Sequence, residues 1–119
     1  MKQQWEEREQ ISIFQWAALQ ACMMPDLKWL YHVPNGGKRD AATAARLKAA
    51  GVKPGVPDIA LDVPRGGYHG LRIELKYGKN KPTPRQQEWL DHLNESGYKA
   101  VICYGAGEAI EEIIKYLRS

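Results

Sequence analysis

Residues 98–104, Tyr-Lys-Ala-Val-Ile-Cys-Tyr, form an almost wholly apolar run fenced by Gly97 and Gly105. A run of this length, bounded by turn residues and rich in β-formers, reads as a strand in the interior of a sheet. Helical patterns stand on either side of it. Before it, Thr83 followed by Pro84 is an N-cap with proline at the first helical position, and the helix runs to about Ser96 before Gly97 stops it. After it comes the turn 105–107, and then residues 109–117 read as a closing helix.

Two further strands precede this unit. Residues 56–63 have strand character with an irregular start at Pro57, and residues 68–77 form a second strand after the turn Pro64-Arg65-Gly66-Gly67. So short a link predicts an antiparallel hairpin. Residues 5–24 read as a helix in which Ile11, Phe14, Ala18 and Ala21 make the buried stripe, with Pro25 limiting its length. The alanine-rich segment 40–50 is a second helix ending at Gly51. Between them, 26–31 is short and apolar, a core segment or an interface. The expected order is helix, helix, strand, strand, helix, strand, helix. Three strands interleaved with helices in 119 residues predict one α/β domain, a small mixed sheet flanked by helices, spanning residues 1–119.

Composition narrows the function classes. The formal net charge is only +3, with charged residues at 26% and apolar residues at 44%, which excludes a disordered chain. The distribution of charge is more informative. Lys38, Arg39, Arg46, Lys48 and Lys53 face one acid, Asp40, between positions 35 and 53; Lys76, Lys79, Lys81 and Arg85 have no acid among them. Cys22 and Cys103 form no CxxC, so buried free thiols are expected rather than a disulfide. The charged start of the chain has no apolar signal segment, and no apolar run approaches membrane-spanning length, so the expected location is the cytoplasm.

The chemistry sits at Asp58 and at Ile73-Glu74-Leu75-Lys76. Side chains alternate along a strand, so Glu74 and Lys76 share one face while Ile73, Leu75 and Tyr77 take the other. The hairpin brings Asp58 beside Glu74. Two carboxylates meeting at a strand end offer hard oxygen ligands suited to Mg²⁺ or Mn²⁺, and the lysine beside them can stabilise charge developing on a phosphate. Taken singly, Asp58 is accounted for as a turn cap, and Glu74 and Lys76 as a surface pair on an exposed strand face; it is the coincidence of all three with the flanking pattern that points to a site. Gln86 shares the inward face of its helix with Trp89, Leu90 and Leu93; such an amide needs partners, which a helix cap or the acidic site would provide. The turn Asn35-Gly36-Gly37, followed by Lys38 and Arg39, has the backbone donors and cations to contact a nucleic-acid phosphate, and Lys79, Lys81 and Arg85 flank the same groove. No two of His32, His69 and His92 have metal-ligand spacing, so a histidine-metal site is not expected.

Asp58 followed by Glu74-Leu75-Lys76 resembles the PD-(D/E)XK nuclease signature. Four blocks in order make the resemblance specific to its VRR-NUC family: Pro34-Asn35-Gly36-Gly37; Gly51-Val52-Lys53-Pro54-Gly55-Val56-Pro57-Asp58; His69-Gly70-Leu71-Arg72-Ile73-Glu74-Leu75-Lys76; and Thr83-Pro84-Arg85-Gln86. The resemblance runs nearly end to end and suggests a stand-alone, phage-type member, acting in a host cytoplasm. It implies a restriction-endonuclease-like αβββαβ core with an added helix. It implies a divalent ion held by Asp58, Glu74 and the backbone carbonyl of Leu75, with Lys76 as the catalytic lysine and Gln86 as an active-site glutamine. An acid on the first helix would complete the site. Glu7, four residues before Ile11 and seven before Phe14, is the expected one, with Glu6 and Glu9 as rivals. The implied activity is endonucleolytic cleavage of branched DNA, Holliday junctions included, by a homodimer. The alternatives are a catalytically inactive nucleic-acid-binding module on the same fold and a protein-interaction domain.

Overall fold

The computed structural model describes residues 2–34 and 39–119. Helix α1 (Lys2–Gln20) leads through a 3₁₀ turn (Pro25–Trp29) into strand β1 (Leu30–His32). Helix α2 (Ala41–Ala49) precedes β2 (Ile59–Leu61) and β3 (Leu71–Lys76), and α3 (Pro84–Glu95), β4 (Lys99–Tyr104) and α4 (Ala106–Leu117) complete the chain. The strands form one mixed four-stranded sheet in the order β1-β2-β3-β4. β1, β2 and β3 are antiparallel neighbours, and β4 runs parallel to β3 across the α3 crossover.

The local chemistry explains most of these elements. Asp40 caps α2 by accepting the Thr43 N–H at 2.7 Å. Thr83 caps α3 with Pro84 in its first turn, and the capping box closes through Gln86, whose side chain accepts the Thr83 N–H at 2.9 Å. Glu9 on α1 reaches across the fold to accept the Ala106 N–H at 2.9 Å, so one helix caps another. Asn94 at the end of α3 brackets Ala100 of β4, donating to its carbonyl at 3.0 Å and accepting its N–H at 2.9 Å.

The core divides by the sheet's two faces. Ile59, Leu61, Leu71, Ile73, Leu75 and Cys103 pack with Ile13, Ala17, Ala109, Ile113 and Tyr116 from α1 and α4. On the opposite face a smaller cluster joins Ala100 and Ile102 to Leu90, Leu93 and Trp89 of α3. Alternation along β3 therefore turns Arg72, Glu74 and Lys76 toward the α3 side.

Four expectations are corrected. A strand appears at 30–32 where only a short apolar segment was legible, and it supplies the third member of the antiparallel set. β4 is an edge strand, not an interior one; its apolar pattern reflects helices covering both faces, which says nothing about whether its outer backbone edge is paired. The buried stripe of α1 passes through Ile13 and Ala17, leaving Ile11 47% exposed. Both cysteines are free, as expected, but Cys22 is exposed and only Cys103 is buried. The 26–31 segment is divided: Leu27 and Leu30 are buried, while Trp29 and Tyr31 are exposed. Among the described residues no helix is long and apolar enough to cross a membrane.

Candidate active site

The β2–β3 register sets the site. Ile59 pairs with Ile73, so the antiparallel ladder carried back one residue puts Asp58 opposite Glu74. The Asp58 carboxylate accepts the Leu75 N–H at 2.8 Å, which locks it over β3. On its other flank β1 holds the Asp58 backbone, whose carbonyl oxygen accepts the Val33 N–H at 2.8 Å and the His32 Nδ1–H at 2.8 Å. A carbonyl can only accept, so Nδ1 of His32 carries a proton. His32 is a positioning residue that no spacing in the sequence singles out.

Glu74 and Lys76 are ionisable side chains only 3% and 5% exposed, deep in the α3 face of the sheet. Buried charges need partners. Lys76 has one in Gln86, donating Nζ–H to its amide oxygen at 2.5 Å. The same oxygen closes the capping box, so Gln86 serves both the helix cap and the site. Glu74 lies beside Asp58, and its Oε1 is buried without a hydrogen-bond partner among the described residues. Burial, then the adjacent Asp58 carboxylate, push the Glu74 carboxyl up to about 9, against the pull of Lys76. Burial also raises Asp58, against the Leu75 N–H, Glu74, His32 and Lys76. Two acids crowded into a dry pocket cannot both ionise without added positive charge.

The acids of the first helix differ in their surroundings. Glu7 is exposed, and Glu6, half-buried, is the acid whose charge is felt at Glu74. Glu6 stands seven residues before Ile13, on the stripe that the fold buries. Glu9 is committed to capping α4. The start of α1 is fixed near the site by Trp5, whose ring lies 4.7 Å from that of Tyr77, the residue after Lys76.

Of the expected nucleic-acid contacts, Lys79, Lys81 and Arg85 are exposed around the segment joining β3 to α3. Arg39 is exposed and donates to the Pro34 carbonyl at 2.9 Å. Asn35, Gly36, Gly37 and Lys38 lie outside the described residues.

Comparison with known proteins decides the family. The model of the VRR-NUC domain matches residues 4–107. The chain belongs to the VRR-NUC family. A solved VRR-NUC domain protein superposes with a TM-score of 0.80 at 36% identity, covering 95% of this chain and 88% of that one. Comparison with curated proteins gives no match. Membership makes this a nuclease-type domain with a nucleic-acid substrate.

The donor set suits a divalent cation. Two neighbouring carboxylates, one with a buried oxygen lacking any described partner, are hard anionic ligands short of positive charge. Among the described residues, no cluster of three or more acid, histidine or cysteine side chains is assembled for a metal. A cation here would therefore lean on two side chains and a backbone oxygen.

Proposed function

We propose that this VRR-NUC domain is a divalent-metal-dependent, structure-specific DNA endonuclease that hydrolyses phosphodiester bonds in branched DNA, Holliday junctions included, and acts as a homodimer. The observation that carries the reading is the Glu74 Oε1, buried beside Asp58 without a partner among the described residues, with the Lys76 ammonium on the same sheet face. Asp58, Glu74 and the Leu75 carbonyl would hold Mg²⁺ or Mn²⁺, and Glu6 adds negative charge from α1. Bound there, the ion supplies a Lewis acid and a water of lowered pKa.

The chain's own residues supply the rest. Lys76 is held in place through Gln86, so its charge is pre-oriented toward the pocket and needs no reorganisation when negative charge builds on the phosphate. The apolar strand around Glu74 and Lys76 keeps water away, which strengthens each of these interactions. Lys79, Lys81, Arg85 and Arg39 offer cations to the flanking phosphates, and the Asn35-Gly36-Gly37-Lys38 turn is proposed to join them. Two copies related by a two-fold axis would present two such sites to a symmetric junction.

The test is incubation with labelled four-way junction, flap, single-stranded and linear duplex DNA in Mg²⁺, Mn²⁺ or EDTA. Cleavage is expected with metal only, and most strongly on a branched substrate. Glu74→Ala should abolish it, and Lys76→Ala should slow it by roughly 10²–10³-fold, the usual cost of removing a transition-state charge stabiliser. Tight binding with no cleavage in any metal would instead identify an inactive binding module.

A further inference from the structure

A cleft of about 360 Å³ lies beside the site, lined by Lys53, Pro54, Arg85, Glu88, Trp89 and His92. Its walls are the loop entering β2 and the first turns of α3. These two segments are in backbone contact, since a Cβ on Gly55 would sit 2.8 Å from the Arg85 carbonyl group. The same loop delivers Asp58, and the residue after Arg85 is Gln86. The cleft and the site thus share both supports.

The lining has mixed chemistry. Trp89 is half-buried, and its ring meets His92 edge-on at 6.4 Å and 88°. Two cations stand at the loop and the helix start, and Glu88 adds one acceptor. A bare phosphate would use the cations and leave the indole idle. An apolar ligand would use the indole and strand the charges. A nucleotide with an exposed base uses all of them: the base stacks on the indole, its exocyclic or ring N–H reaches Glu88, and its phosphates meet Lys53 and Arg85. The volume suits one nucleotide, being at the small end of ligand pockets.

We propose that this cleft receives one unpaired nucleotide of a DNA strand, stacked on Trp89, next to the bond to be cut. Paired bases are stacked on their neighbours and cannot enter. The preference for branched DNA then arises from a base freed at the branch. The inference rests on the nuclease reading and adds the feature of the substrate that is recognised.

The test measures binding in EDTA, so that cleavage does not intervene. The probes are a forked DNA carrying 2-aminopurine in its unpaired arm and a fully paired duplex of equal length. The wild-type protein should bind the fork more tightly and quench the 2-aminopurine on stacking. Trp89→Leu, which keeps an apolar contact with the α3 cluster, should weaken fork binding about tenfold or more and abolish the quench, with duplex affinity within about twofold. Trp89→Phe should retain most of both. Lys53→Ala and Arg85→Ala should each lower the salt dependence of fork binding by about one ion. An equal loss on fork and duplex in Trp89→Leu would overturn the proposal. So would a bound wild-type fork whose 2-aminopurine stays as bright as in the free strand, which decides the matter even if Trp89→Leu fails to fold. Metal-dependent cleavage by the wild type alongside either result removes the cleft alone. Neither binding nor cleavage of any DNA removes the nuclease reading and the cleft with it.

Discussion

At the residue scale the site turns on an imbalance of charge. Glu74 holds its proton up to about 9 because burial and the Asp58 carboxylate both penalise its ionised form. An unfolded glutamate releases its proton near the ordinary value of 4.5. Between these limits the native state binds more protons than the unfolded one, so without metal stability falls as pH rises through that window. Glu74→Gln removes the titration and keeps the shape. In EDTA it should therefore melt several degrees above the wild type at pH 8.5 and close to it at pH 4.5, as differential scanning fluorimetry would read. Adding Mg²⁺ or Mn²⁺ should raise the melting temperature of the wild type at pH 8.5 but not that of Glu74→Gln. A wild type that is more stable at pH 8.5 than at pH 5 in EDTA would contradict this account. Glu74 and Lys76 and their shared face were legible because alternation along a strand is a local rule, and the short hairpin placed Asp58 beside them. Glu6 was not. The spacing in α1 pointed to a stripe through Ile11, Phe14, Ala18 and Ala21, and only packing in the core with Ile113 and Tyr116 selects the face with Ile13 and Ala17.

At the scale of elements, the site depends on a loop fitted against a helix. Gly55 has φ +88 and leaves no room for a side chain, its Cβ position being 2.8 Å from the Arg85 backbone. Gly55→Ala should cost about 1–3 kcal/mol in urea unfolding. It should also slow cleavage, because the loop that must shift carries Asp58 and borders the Trp89 cleft. Unchanged stability with full activity would show that the loop is not clamped in this way. Pro57 was readable as an irregular entry to a strand. The contact of Gly55 with α3 was not, since it joins segments distant in sequence. β1 escaped notice for a related reason: it is only 3 residues long, and its register comes from pairing with β2 rather than from any periodicity of its own.

At the scale of the whole molecule, the two free thiols report on integrity. Cys22 is exposed, whereas Cys103 lies inside the main core with its thiol pushed up to about 12 by burial, then by Glu112 and Glu108. A thiol-reactive dye should label one cysteine at once in native protein and the second only on unfolding, and Cys22→Ser should remove the fast phase. Rapid labelling of both would mean that the helix-covered face of β4 opens readily. The sequence by itself determined the alternating strand with its acid and amine, the capped helices, the antiparallel hairpin and the α/β class, because each follows from neighbours along the chain. Tertiary structure alone decided the edge position of β4, the phase of α1 and the approach of Glu6 to Glu74. It also decided the pairing of Lys76 with Gln86 and the cleft beside them. These depend on which surfaces remain uncovered once the sheet is assembled, and a buried charge selects its partner only from the groups that packing brings within reach.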